Sequence, residues 1–150
     1  MNKHTCYRHA QGFLETGKQL LCIKEGALFL GYFFAPCVMN LTFSCELSLK
    51  LMGLIETGIE EKHEHRLINL FDKLSEETRE RIKSKYLLKS AKHSFVECMN
   101  SNNNNFSDFR YLHEESKNGS SSYPWDLQRL AESMVEIAGE VLREDENNAH

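Results

Sequence analysis

From Gly26 to Cys45 the chain reads GALFLGYFFAPCVMNLTFSC without one charged side chain, and Glu46 and Lys50 then follow in ELSLK. A run this apolar belongs in a protein core or in a bilayer, whose hydrocarbon asks for about 20 apolar residues per helical span. Pro36 in its middle and the polar Asn40, Thr42 and Ser44 argue for a buried core helix rather than a membrane span. Pro36 suits a first helical turn. The pattern then runs through Leu41, Cys45, Leu49 and Met52 to Thr57-Gly58, a C-terminal glycine signal.

Around this core element the chain reads as helix throughout. At 150 residues it is long enough for one domain with a sizeable core, and Leu, Glu and Lys outnumber the β-branched residues in most windows. A first helix is expected over about His9 to Lys24. A polar link, IEEKHEH, leads to a helix over about Arg66 to Leu74. Ser75 is the expected N-cap of the next, with Glu76 and Glu77 in its first turn, Ile82 and Tyr86 inward and the basic residues outward. KHSFVECMN begins another helix, which the asparagines at 102 to 105 end or interrupt as a surface loop, open to positive φ. NGSSSYP is a flexible loop by composition. The last helix starts near Asp126 and carries Leu127, Leu130, Met134, Ile137, Val141 and Leu142 in amphipathic order before an acidic, frayed tail, REDENNAH. The expectation is a single all-α domain over 1–150, an up-and-down bundle of five or six helices.

The net charge of −4 argues against indiscriminate coating of nucleic acid, although the six Lys and Arg between Arg79 and Lys92 face only Glu80. Arg81, Lys85 and Lys89 recur at four-residue steps, so one helix face offers them either to RNA phosphates or to water. Cys6, Cys22, Cys37, Cys45 and Cys98 are odd in number and form no C-x-x-C pair, and the start, MNKHTCYRHA, lacks a secretory apolar stretch. Reduced, buried thiols in a cytoplasmic protein are expected, with no metal and no cofactor. His63 and His65 give an H-x-H on a polar link, a weak metal pattern. A helix-start His65 making a local hydrogen bond is the simpler reading. His4 and His93 carry no signal beyond composition.

Glu46 is the informative charge. On a helix apolar in nearly every direction, a carboxylate either sits on a wet stripe beside Lys50 at i+4 or is buried and reaches another helix. In the buried case Arg110 is the natural partner, because its guanidinium can form two parallel bonds with a carboxylate.

FSCELSLKLMGL, HEHRLINLFDKL and FSDFRYLHE, in this order, resemble the pattern of HEPN-like helical proteins, the higher eukaryotes and prokaryotes nucleotide-binding superfamily. Glu46 and Lys50 match the first motif, His65, Leu67, Leu70 and Phe71 the second, and Arg110, Tyr111 and Glu114 the third, over residues 30 to 140. The resemblance implies a helical bundle, commonly a homodimer. Many members are metal-independent ribonucleases of toxin–antitoxin, phage-defence or RNA-processing systems, and others bind nucleotides or protein partners without catalysis.

The ribonuclease signature implied by the resemblance is Arg, four to six residues, then His. Here Arg110 precedes His113 by three positions, which share a helix face but depart from that spacing. Arg143 and His150 have the spacing but lie in the acidic tail. FRYLHEE therefore has two readings. In one, Arg110 steadies a phosphate, His113 moves a proton and Tyr111 assists. In the other, Arg110 neutralises Glu46, Tyr111 fills core, and His113, Glu114 and Glu115 are solvated. The functional expectation is a protein that binds RNA or nucleotides, with a protein-interaction module as the alternative.

Overall fold

The computed structural model describes residues 1–23, 29–110 and 123–149, with Phe29, Leu30 and Arg110 placed by their backbone alone. The described elements are α1 (Lys3–Leu21), α2 (Phe34–Thr57), α3 (Leu67–Asp72), α4 (Glu76–Leu87), α5 (Phe95–Asn102), α6 (Asn105–Arg110) and α7 (Pro124–Asn148), with a π-helical turn at Phe29–Phe33 running straight into α2. There is no strand among the described residues, and the all-α expectation holds.

Several boundaries follow the residue chemistry foreseen for them. Gly58 takes φ 71° after α2, and its N–H bonds the Leu54 carbonyl at 2.9 Å. Ser75 caps α4 by accepting the Thr78 N–H. From outside, Glu56 at the end of α2 accepts both the N–H and the hydroxyl of Ser75 at 2.8 Å, tying two helix ends together. At the start of α5 the structure adds a reciprocal capping box of Ser94 and Glu97 that the sequence reading did not name.

Other boundaries correct the expectation. The first helix starts at Lys3 rather than His9, because Asn2 accepts the Thr5 N–H and caps it there. The tail is helical through Asn148, held to α1 by Lys3–Asp145 at 2.7 Å and His4–Glu146 at 2.7 Å. The asparagine run is not simply a surface loop: Asn102 and Asn105 are buried, and the Asn105 amide donates to Thr42 of α2 and to Asn102. Nor does it supply the positive φ. Among non-glycine residues described, only Ser90 has one.

Helix directions can be read from side-chain bonds. Cys6, Ala10 and Gly17 of α1 meet Leu47, Ser44 and Cys37 of α2, so the two run antiparallel. Lys3 meets Asp145, so α7 also opposes α1. Arg81, Lys85 and Lys89 meet residues of α7 in descending order, so α4 opposes α7. The four long helices therefore alternate up and down.

The core lies between α1, α2 and α7, where Leu41, Leu49, Met52, Leu127, Leu130 and Met134 are essentially inaccessible, each worth about 1.5–3 kcal/mol by burial. The stretch Gly31–Thr57 is long and apolar enough to cross a membrane, yet 61% of its most apolar window is buried inside the bundle. Two glycines set the closest helix approaches. A methyl at Gly17 would lie 2.5 Å from the Leu41 side chain, and one at Gly139 would lie 2.3 Å from the Tyr7 hydroxyl. Four of the five cysteines are buried and free. Burial pushes the Cys6 and Cys37 thiols up to about 11 and Cys98 up to about 12, which keeps them protonated and inert.

Candidate functional site

Glu46 lies on the buried length of α2, only 5% exposed, and Lys50, one turn on, is 8% exposed. Their 2.8 Å ion pair is therefore internal, which corrects the wet-stripe reading. A buried carboxylate at this position needs help from outside its own helix. It comes from His65, whose Nδ1 lies 2.9 Å from Glu46 Oε1. A carboxylate offers no proton, so Nδ1 must donate, and the basic lone pair of a neutral His65 is then on Nε2. This corrects the local role expected for His65: its ring spans from the α2–α3 link into the bundle.

Two further devices hold that ring. Glu64 accepts the backbone N–H groups of His65 and Arg66, the Arg66 guanidinium and the Asn69 amide, which fixes the backbone beside His65. The Arg66 guanidinium foremost, with the backbone and Asn69 donors, holds the Glu64 carboxyl well below the usual range. Phe106 of α6 stacks on the other side, with ring centroids 4.0 Å apart and planes 7° from parallel. Phe106 also meets Phe43 of α2 edge-on, while Phe109 meets Phe34. Asn105, bonded to Thr42, seats the first turn of α6. The α6 helix is thereby docked against α2 and the His65 ring, and the Arg110 backbone comes one turn after Phe106.

Glu46 is served unevenly. Oε1 receives both Lys50 and His65, whereas Oε2 is buried and has no hydrogen-bond partner among the described residues. The proposed partner Arg110 is described only by its backbone, and Tyr111, His113, Glu114, His150 and the 118–122 loop lie outside the described residues.

A second buried carboxylate was not singled out by the sequence. Asp126, in the first turn of α7, is 2% exposed. It accepts the N–H groups of Lys92 and His93, the His93 ring nitrogen Nδ1 at 2.6 Å, and Arg129 at 3.3 Å. Burial works against its ionisation, but the His93 ring and the two backbone donors more than compensate and hold its carboxyl below the ordinary value. The His93 ring stacks on Tyr123 at 3.7 Å, and its carbonyl accepts the Tyr86 hydroxyl. Arg129 Nε also donates to the Lys89 carbonyl. The available signal was Asp at N3 of a helix with Pro at N1, read as a helix start and nothing more.

The basic face of α4 does not point to water. Arg81 bonds Glu140 and Glu144, Lys85 lies near Glu136 and Glu140, and Lys89 bonds Glu136 at 2.6 Å. The acidic face of α7 absorbs these cations, which corrects the outward placement. No cluster of three or more His, Cys, Asp or Glu with metal-ligand geometry occurs among the described residues.

No family model matches the chain, and no curated protein or solved structure is significantly similar to it.

Proposed function

We propose that the chain is a HEPN-like helical protein of the cytoplasm that binds RNA or nucleotides, working as a homodimer in a toxin–antitoxin or phage-defence setting. One observation carries this reading. The three stretches behind the resemblance, far apart in sequence, converge: Glu46 and Lys50 on α2, His65 before α3, and α6 ending at Arg110, joined by a 2.9 Å bond and a 4.0 Å ring stack. In this reading the Glu46–Lys50–His65 cluster is a brace that positions α6. The phosphate-contacting pair is Arg110 and His113, and its catalytic form is metal-independent RNA cleavage, with Arg110 steadying phosphate charge and His113 moving a proton.

The test is incubation of the purified protein with defined RNA in the presence of chelator, read for binding and for cleavage, beside Arg110→Ala and His113→Ala. Loss of binding or cleavage in both variants, with unchanged thermal unfolding, supports the reading. A folded wild-type protein that neither binds nor cleaves any RNA or nucleotide overturns it.

A second reading, a non-catalytic interaction or regulatory module that binds a protein such as an antitoxin or defence component, is favoured by a different observation. Arg81, Lys85 and Lys89 are occupied by glutamates of α7, while Leu87 and Leu88 beside them are 72% and 81% exposed. A face with its cations internally neutralised and two large apolar side chains in water is better suited to a protein than to a polyanion. Leu87→Asp with Leu88→Asp is expected to abolish partner capture while leaving RNA binding unchanged.

A further inference from the structure

The His65 ring is held at one nitrogen and one face. Nδ1 is engaged by Glu46 Oε1 at 2.9 Å, and Phe106 stacks 4.0 Å away. The side chain is still 36% exposed, through the face and edge that these two contacts leave. No hydrogen bond to Nε2 occurs among the described residues. We infer that His65 is the general base of the RNA-cleaving form proposed above, its Nε2 taking the proton of the attacking 2′-hydroxyl. The inference rests on that reading and adds a proton acceptor to it.

Glu46 needs a donor, but it does not need a histidine. An asparagine or glutamine amide would bond Oε1 as well, and Lys50 already neutralises the carboxylate from 2.8 Å. What histidine adds is a second nitrogen. A carboxylate on Nδ1–H holds the neutral ring in the tautomer whose lone pair lies on Nε2, the orientation a proton acceptor requires.

The ring is also held more firmly than a filler would be. Glu64 gathers the backbone N–H groups of His65 and Arg66, the Arg66 guanidinium and the Asn69 amide, so the imidazole is fixed at its root, at Nδ1 and on one face. Its place suits the task. The Arg110 backbone follows Phe106 by one turn, so α6 supports both the base and the phosphate-steadying residue of that reading. His93 is bonded to Asp126 in the same manner, but it stacks on Tyr123 rather than on α6.

The step conserves atoms and charge. Nε2 takes the 2′-hydroxyl proton as that oxygen attacks the adjacent phosphorus. The P–O5′ bond breaks with its electron pair, and His113 protonates the departing oxygen. The products are a 2′,3′-cyclic phosphate and a 5′-hydroxyl end.

The test is cleavage of a defined RNA oligonucleotide, with chelator, by wild type and His65→Ala, each with and without added imidazole or pyrrole. Pyrrole has the size of imidazole but no basic nitrogen. His65→Ala should still bind the oligonucleotide and should cleave it at least about 100-fold more slowly, the lower end of what a positioned base contributes. Imidazole should restore part of the rate and pyrrole none. Equal restoration by pyrrole, or an undiminished rate in His65→Ala, overturns the base and leaves a brace. Should His65→Ala not fold, diethyl pyrocarbonate on the wild type replaces it, with modified histidines mapped by mass spectrometry. Cleavage should then fall in step with modification of His65; cleavage that survives it, or that falls with another histidine instead, overturns the inference. A wild type that binds RNA without cleaving it overturns this inference alone. One that neither binds nor cleaves any RNA or nucleotide overturns the reading beneath it as well.

Discussion

Glu46 and Asp126 are the same device built twice, with opposite degrees of completion. Each is a buried carboxylate bonded to the Nδ1 of a histidine, and each histidine is stacked on an aromatic ring, Phe106 in one case and Tyr123 in the other. At Asp126 both oxygens are filled, by two backbone N–H groups, the ring and Arg129. At Glu46 one oxygen takes Lys50 and His65 while Oε2 goes without a partner among the described residues. A complete network fixes a fold; a partial one leaves an acceptor in the interior at a cost only a further interaction can offset. The comparison marks the Asp126 network as closed and the Glu46 network as open at one oxygen.

The largest effect should come from stripping Glu46 of its cation. Lys50→Ala is expected to cost about 3–5 kcal/mol in urea unfolding, because it leaves a carboxylate buried with one histidine for company. Asp126→Asn comes next, at about 2–3 kcal/mol near neutral pH, since an amide presents one acceptor where four donors converge. Its pH dependence has a definite sign. The folded carboxyl titrates below its unfolded value, so the Asp126 contribution is complete above about pH 4 and is lost as pH falls through the folded pKa. The gap between wild type and Asp126→Asn should therefore close in acid. Phe106→Leu should cost about 1 kcal/mol, the added worth of an aromatic stack, and should loosen α6, read as faster amide exchange at Ser107 and Phe109. Smallest of all is Glu46→Gln made together with Lys50→Met, expected within about 1 kcal/mol of wild type, because the two desolvated charges leave together and the amide oxygen keeps the His65 donor. Equal losses in this double variant and in Asp126→Asn would erase the distinction between the two centres.

The sequence revealed the parts that obey local rules. Gly58 at the end of α2, Ser75 at the start of α4, and Ile82 and Tyr86 inward are all set by caps and helical periodicity within a few residues. Glu46 was legible as a charge in the wrong place, because its helix is apolar in nearly every direction. Its partner was not. His65 sits in a polar link with no period to fix its direction, and only the tertiary fold carries its ring to α2. His93 and Asp126 were invisible for the same reason: one lies in a loop, the other looks like an ordinary first-turn acid. The outward reading of Arg81, Lys85 and Lys89 failed because helix periodicity finds a face but not its neighbour, here the glutamates of α7. The Arg110 and His113 pair depends on residues beyond those described and stands on the resemblance alone.

The contact of Tyr7 with the bare backbone at Gly139 couples two positions at opposite ends of the chain. Selection cannot enlarge residue 139 while a phenol occupies that space, so diverged descendants with alanine or serine there should carry a shorter side chain at position 7. Such paired drift, once related sequences are gathered, would report the α1–α7 register without any coordinates.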